Sequence, residues 1–101
     1  MLRRSILPFG LITMLILCTA MGQPSSPNAG QQLFETHCAR CHGSDGAKGK
    51  WGAKDLRTSR LGDAAIMNQV RTGRSIMPSF SKKLNEAEVA EVMRYVKELR
   101  K

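Results

Sequence analysis

The strongest chemical signal in the sequence is a run of five residues, Cys38-Ala39-Arg40-Cys41-His42. Two cysteines three residues apart lie on one face of a helical turn, so both sulfurs reach one edge of a planar macrocycle. A histidine directly after the second cysteine supplies an imidazole to a metal at the centre of that macrocycle. The spacing predicts one covalently attached haem c, bound through Cys38 and Cys41, with His42 as an axial ligand of the iron.

Other uses of this cysteine pair are weaker. A zinc site would need His37 and His42 with both cysteines, and four ligands so close in sequence do not readily surround one ion tetrahedrally. A thioredoxin-like dithiol follows a strand in a βαβ unit, and the sequence has no run with strand periodicity. A disulfide between Cys38 and Cys41 would close a loop too short to stabilise the fold. The haem interpretation is therefore favoured.

The second axial ligand matters because six-coordinate iron transfers electrons, whereas an open position binds or activates small ligands. His37 lies beside a haem-bearing cysteine and cannot easily reach the opposite haem face, so we expect it to be a partly exposed helix histidine. Met67 and Met93 occupy apolar positions at helical spacing, where methionine ordinarily fills the core. Met77 precedes Pro78, which favours an extended loop from which a thioether can point inward. Met77 is therefore the predicted second ligand of the iron.

The whole sequence from the first helix to the last resembles the small single-haem class I cytochromes c, especially the short bacterial ones. Besides the attachment motif, the resemblance rests on Gly30, Phe34, Gly73 with Met77-Pro78-Ser79-Phe80, and Tyr95. It implies an all-α cytochrome c fold, with three main helices and loops wrapped around one covalently bound haem. It also places Gly30 and Phe34 of the first helix against the last helix near Tyr95, where the terminal helices cross. It also implies His/Met ligation and electron transfer without catalysis.

One feature common in that family is missing here. Its members commonly carry a proline in the loop after the attachment motif, and the carbonyl of that proline accepts the ring proton of the proximal histidine. Residues 52–56 read Gly-Ala-Lys-Asp-Leu, and Lys54 stands about where the proline would be. Another carbonyl can accept the proton of His42, although the chain constrains its position less. Trp51 and Arg57 flank this stretch and are candidates for contacts with the haem propionates.

Hydrophobic patterning predicts the helices that position these residues. The first helix, capped by Ser26 or Asn28, leads into the attachment motif. A short helix follows over about residues 62–72. The last helix begins at Asn85, where Glu88 completes a capping box, and it runs to the end of the sequence. Its predicted buried stripe comprises Val89, Val92, Met93, Val96 and Leu99.

The N-terminal segment is predicted to be a secretory signal over residues 1–22, which leaves residues 23–101 as the monohaem domain. Two arginines precede an uncharged apolar run, and small residues permit cleavage after Gly22 or after Ala20. An uncleaved membrane anchor is the alternative, but the run is shorter than the roughly 20 residues that a spanning helix needs. The protein is therefore expected in the periplasm or otherwise exported.

Length and charge fit a single small domain with a charged partner. The chain has 101 residues and a net charge of +8. The predicted domain of residues 23–101 is small enough that it usually needs a cofactor or cross-link for stability. Most of the excess positive charge lies between His42 and Lys83, in the loops expected around the haem edge. This distribution predicts docking on acidic redox proteins, and the protein is expected to be a monomer. The basic residues are Lys48, Lys50, Lys54, Arg57, Arg60, Arg71, Arg74, Lys82 and Lys83.

Other partners and functions are alternatives to an electron carrier that docks on acidic proteins. Peripheral contact with anionic lipid remains an alternative, whereas export and the lack of interleaved aromatic residues disfavour nucleic acid. The main functional alternative is a haem subunit or domain of a larger membrane or periplasmic oxidoreductase. A ligand-binding or peroxidatic haem protein would require Met77 to be absent from the iron or easily displaced.

Overall fold

The computed structural model describes residues 26–101, and this part of the chain is helical and contains no strand. The predicted all-α fold with three main helices is confirmed. The predicted signal over residues 1–22 lies outside the described residues. Within residues 26–101 no helix is both long enough and apolar enough to cross a membrane. The elements are α1 (Ala29–His37), α2 (Ala39–His42), a 3-10 turn (Lys50–Gly52), α3 (Asp63–Thr72) and α4 (Glu86–Glu98).

The predicted start of α4 is confirmed in detail. The Asn85 side chain accepts a hydrogen bond from the Glu88 backbone N–H at 2.8 Å, and the Glu88 carboxylate accepts one from the Asn85 N–H at 3.0 Å. These reciprocal bonds satisfy two backbone donors that would otherwise lack partners in the first turn. At the start of α1, by contrast, Asn28 occupies the N-cap position but its side chain caps no N–H.

Helices α1 and α4 cross at a glycine. A Cβ atom placed on Gly30 would lie 2.4 Å from the carbonyl oxygen of Glu91 and 3.0 Å from the Cβ of Tyr95. One turn further along α1, Phe34 is fully buried and its ring centroid lies 5.2 Å from that of Tyr95. The predicted contact of the two terminal helices is therefore confirmed. Position 30 requires glycine, because any side chain there would overlap the backbone of α4.

The hydrophobic core lies between α1, α3 and α4 and continues into the wall of a large cavity. Met93 is buried in this core and Met67 packs against it, as their helical spacing predicts. Neither of these methionines lines the cavity, so both serve packing. Seven buried core residues do line it, and they come from the three main helices, the end of α1 and the loop after Met77: Phe34, Cys38, Ile66, Val70, Phe80, Val92 and Val96.

Candidate haem site

The cavity has a volume of about 790 Å³, within the range of cofactor sites in proteins. The three main helices supply its apolar side. Segments 50–61 and 74–78 complete its border with both polar and apolar side chains. All four residues predicted to hold the haem, Cys38, Cys41, His42 and Met77, line this one cavity although they come from distant parts of the chain.

The two cysteines are positioned by the junction of α1 and α2. Cys38 ends α1, with its N–H bonded to the Phe34 carbonyl at 2.8 Å, and its own carbonyl accepts from the N–H of His42 at 3.0 Å. Both cysteines carry unpaired thiols. Burial raises the pKa of the Cys38 thiol to about 11, and the neighbouring Cys41 adds to the shift. Cys38 is therefore a neutral thiol at physiological pH until it forms a covalent bond.

The imidazole of His42 is oriented by a backbone carbonyl. Its Nδ1 lies 3.1 Å from the carbonyl oxygen of Lys54. A carbonyl only accepts hydrogen bonds, so Nδ1 must carry the proton and Nε2 keeps its lone pair for a metal. Lys54 stands where the family commonly has proline, and its carbonyl accepts the hydrogen bond from His42 although the residue is not a proline. The adjoining backbone is fixed by a bond of 2.9 Å from the Leu56 N–H to the Gly46 carbonyl.

Met77 is presented by a tight turn between α3 and α4. Arg74 and Met77 exchange two backbone hydrogen bonds of 3.0 and 2.9 Å, and Ser75 between them has a left-handed φ of 54°. The thioether sulfur accepts a contact of 3.8 Å from the side-chain amide of Gln69. Gln69 lines the cavity and was not predicted as a site residue, because nothing in the sequence relates a glutamine on α3 to Met77.

The turn depends on Gly73. This residue ends α3 with a φ of 69°, and a Cβ there would lie 2.4 Å from the Met77 carbonyl oxygen. The same atom would lie 2.7 Å from the carbonyl carbon of Pro78 and 2.8 Å from the nitrogen of Ser79. All three contacts are with backbone, which cannot rotate away as a side chain can. Any other residue at this position would displace the segment that carries Met77.

The two candidates for propionate contacts are placed differently. Trp51 lines the cavity with 53% of its surface exposed, and the Lys50 ammonium lies 4.2 Å from its ring centroid. Arg57 does not line the cavity. Its guanidinium forms two hydrogen bonds to Asp55, at 3.1 and 3.2 Å, and holds the pKa of that carboxyl below its usual value. A propionate contact therefore stays a prediction, and the geometry favours Trp51.

His37 also borders the cavity but makes a different contact. It is half-buried on the last turn of α1, and its ring packs edge-on against Phe80 with the centroids 5.9 Å apart. This position agrees with the expectation of a partly exposed helix histidine.

The donor set fits a haem c and no smaller group. Two unpaired thiols, an imidazole with a fixed tautomer and a thioether border a single apolar cavity. A porphyrin offers an apolar ring to such walls and a central metal to the nitrogen and sulfur donors. Within residues 26–101 no group of three or more His, Cys, Asp or Glu side chains is arranged to hold a bare metal ion.

The comparisons with known proteins agree with this assignment. Residues 25–96 match the family model of cytochrome c oxidase, cbb3-type, subunit III. Cytochrome c6 of Diacronema lutheri is 37% identical over 73 residues, covering 66% of this chain and 88% of that protein. The cbb3-type cytochrome c oxidase subunit FixPc of Rhizobium leguminosarum bv. viciae is 36% identical over 90 residues, covering 82% of this chain but only 31% of that longer protein.

A solved structure extends the likeness to the fold. The crystal structure of cytochrome c6C from Synechococcus sp. PCC 7002 matches with a TM-score of 0.61 and 32% identity, covering 69% of this chain and 92% of that one. The relatives are c-type cytochromes, in agreement with the attachment motif and the cavity. The chain belongs to the c-type cytochrome family and is a small monohaem electron-transfer protein with one covalently bound haem c.

Proposed function

We propose that this protein is an exported one-electron carrier whose haem is bound through Cys38 and Cys41 and ligated by His42 and Met77. The observation that carries the proposal is the convergence of these four side chains on one cavity, with the His42 tautomer fixed by the Lys54 carbonyl. The bound haem supplies reversible one-electron chemistry at its iron. The chain itself holds the haem and orients the imidazole, and it performs no catalysis.

The choice of Met77 rests on the positions of the other candidates. Met67 and Met93 pack in the core, away from the cavity. His37 directs its ring against Phe80 and lies one residue from a haem-bearing cysteine. A thioether is a weak, soft donor that favours ferrous iron, so His/Met ligation gives a higher reduction potential than ligation by two histidines. A closed coordination sphere suits electron transfer rather than ligand activation.

Covalent attachment gives the first prediction. The double variant Cys38→Ala/Cys41→Ala should lose its haem completely under denaturing conditions, because axial bonds alone do not survive unfolding. Each single variant should keep one thioether and retain the haem. Intact-mass spectrometry of the denatured protein measures this directly. Haem that stays covalently bound in the double variant would contradict the assignment of both cysteines.

The border of the cavity is suited to docking on an acidic protein. Arg40, Lys50, Lys54 and Arg74 line it, and among the described residues none of the four forms an ion pair. The only acidic side chain that lines the cavity within residues 26–101 is Asp55, which is paired with Arg57. We call this surface the basic rim. The exposed large hydrophobic residues border the same cavity, and they are Trp51, Leu61 and Ile76.

Electrostatic steering gives the second prediction. Reversing one charge of the basic rim, by Arg74→Glu, should slow second-order electron transfer with an acidic redox protein about tenfold at low ionic strength. The difference from wild type should shrink as salt is added, because the Debye length falls to about 10 Å at 0.1 M. Arg94→Glu is the matched control, since Arg94 lies on α4 away from the cavity. Equal effects of the two reversals would argue against docking at the rim.

The likeness to FixPc supports a second candidate, a haem subunit that stays bound within a larger oxidoreductase. The likeness covers 82% of this chain. A permanent subunit would remain associated at high salt and its electron transfer would be first order. A free monomeric carrier would show second-order, salt-sensitive kinetics.

The proposed export rests on residues 1–22. Secretion with cleavage after Gly22 predicts an isolated protein that begins at Gln23, whereas cleavage after Ala20 or an uncleaved anchor would leave a longer chain. The intact mass of protein from the native host distinguishes these cases. Retention of the cleaved protein on vesicles with anionic headgroups would indicate the peripheral membrane contact that the positive charge also permits.

A further inference from the structure

The loop that forms one border of the cavity is held from behind by the residues that follow α4. We call residues 57–61 the wall loop, because Thr58, Ser59 and Leu61 within it line the cavity. The backbone N–H of Lys101 donates to the carbonyl of Arg57 at 3.1 Å. The Arg100 side chain donates through Nη2 to the carbonyl of Leu61. Lys101 thus binds the first residue of the wall loop, and Arg100 binds the last.

The two ends of the wall loop differ in their local hydrogen bonds. At its start, Asp55 accepts hydrogen bonds from the Arg57 N–H at 3.0 Å and from the Arg57 guanidinium at 3.1 and 3.2 Å. The first end is therefore well held without help from α4.

The backbone and hydroxyl hydrogen bonds of residues 58–61 are longer. The Ser59 N–H reaches the Leu56 carbonyl at 3.4 Å, and the Leu61 N–H reaches the Ser59 hydroxyl at 3.4 Å. The Thr58 hydroxyl donates to the carbonyl of Asp55 at 3.3 Å. These lengths exceed the usual range of protein hydrogen bonds. A charge-assisted bond from a guanidinium is roughly twice as strong as a neutral one, so Arg100 supplies the strongest restraint on the Leu61 end of the loop.

The position of Arg100 is itself fixed by α4. Lys97 forms an ion pair of 2.7 Å with Asp63 at the start of α3, and the backbone N–H of Arg100 donates to the Lys97 carbonyl at 3.3 Å. Leu99 packs against the core, 3.1 Å from where a Cβ on Gly46 would lie. The Nε atom of Arg100 is buried and forms no hydrogen bond within residues 26–101. Part of a positive charge is therefore withdrawn from solvent behind the wall loop.

We propose that Arg100 is a positioning residue that holds the wall loop against the haem cavity and maintains a positive charge behind it. Both effects raise the reduction potential, because water in the cavity and the loss of a nearby cation each favour the oxidised, more positively charged iron. The effect on potential rests on the proposed function, in which the cavity holds a redox-active haem. The restraint on the loop does not depend on which residues ligate the iron.

The test compares three variants of the haem-bound protein. Arg100→Gln removes the charge and the strong bond, and Arg100→Lys keeps the charge. Arg94→Gln removes an exposed charge from α4, the helix that precedes Arg100. Amide hydrogen exchange reports the restraint, and equilibrium redox titration reports the potential. We expect wall-loop amides to exchange about tenfold faster in Arg100→Gln and its potential to fall below that of Arg94→Gln. Arg100→Lys should also exchange faster than wild type, but its potential should fall less than that of Arg100→Gln, because the positive charge is kept.

Wild-type exchange of the wall loop in Arg100→Gln, or a potential equal to that of Arg94→Gln, would overturn the proposal. If Arg100→Gln fails to retain haem, Arg100→Lys provides the test instead. Wall-loop amides that exchange at the wild-type rate in Arg100→Lys would show that Arg100 does not restrain the loop. Failure of the proposed function would be seen in a different measurement. If Met77 does not ligate the iron, the wild-type absorption spectrum lacks the band of an iron–methionine bond, while the Arg100 variants still show faster exchange of the wall loop.

Discussion

Replacing Met77 with alanine should yield a folded protein whose haem is still covalently bound but whose ferrous iron binds carbon monoxide. Loss of the thioether leaves the sixth position open, and loss of a soft donor that favours ferrous iron lowers the reduction potential. The fold should survive because Met77 is only half-buried and lies on a turn outside the helical core. We expect a stability loss of about 1–2 kcal/mol, less than the truncation of a fully buried methionine costs.

Met67→Ala is the matched control for this experiment. Met67 is also partly buried, packs against the same core and does not line the cavity. It should lose comparable stability with no change in potential or carbon monoxide binding. An unchanged potential in Met77→Ala, with no binding of carbon monoxide, would show that another residue occupies the sixth position. Carbon monoxide binding by the wild-type protein would instead favour the ligand-binding or peroxidatic interpretation.

Gly73→Ala should produce nearly the same spectroscopic result as removing Met77 itself. Gly73 has a φ of 69° and a ψ of −179°, a backbone conformation that costs an alanine about 1–3 kcal/mol. The new Cβ would also lie 2.4 Å from the carbonyl oxygen of Met77, so the turn must shift. Axial ligation tolerates little displacement, so we expect partial or complete loss of the iron–sulfur bond. The measurements are the absorption spectrum and denaturant unfolding of the haem-bound protein.

Gly49→Ala separates crowding from backbone strain. Gly49 also has a positive φ, of 65°, but it does not line the cavity, and a Cβ there would lie 3.6 Å from the Ala53 carbonyl oxygen, an ordinary contact distance. It should therefore lose stability through its backbone alone, with normal ligation. If Gly73→Ala kept the iron–sulfur bond as Gly49→Ala does, the crowding at Gly73 would not govern the position of Met77.

Features formed by residues close together in the chain were predictable from the sequence. The attachment motif, the capping box of Asn85 and the turn after Gly73 are each specified by residues adjacent in the chain. The close crossing at Gly30 was predictable because the resemblance supplied its partner on α4. In each case a short pattern carries its own physical reason.

Contacts between distant segments were harder to predict. The carbonyl of Lys54 serves His42 because the loop path brings it there, and any residue type would present a carbonyl. Arg57 is a plausible propionate ligand by charge, but Asp55 two residues away engages its guanidinium first. The contact of Gln69 with Met77 and the hold of Arg100 on Leu61 depend on how α3 and α4 pack. No local pattern in the sequence marks either of them.

The most direct single test is the absorption spectrum of the oxidised, mature protein. Ligation by His42 and Met77 predicts a low-spin haem with the weak long-wavelength band that reports an iron–sulfur bond to methionine. That band should disappear in Met77→Ala and persist in Met67→Ala. A wild-type spectrum without the band and with high-spin features would contradict His/Met ligation and the closed electron carrier proposed here.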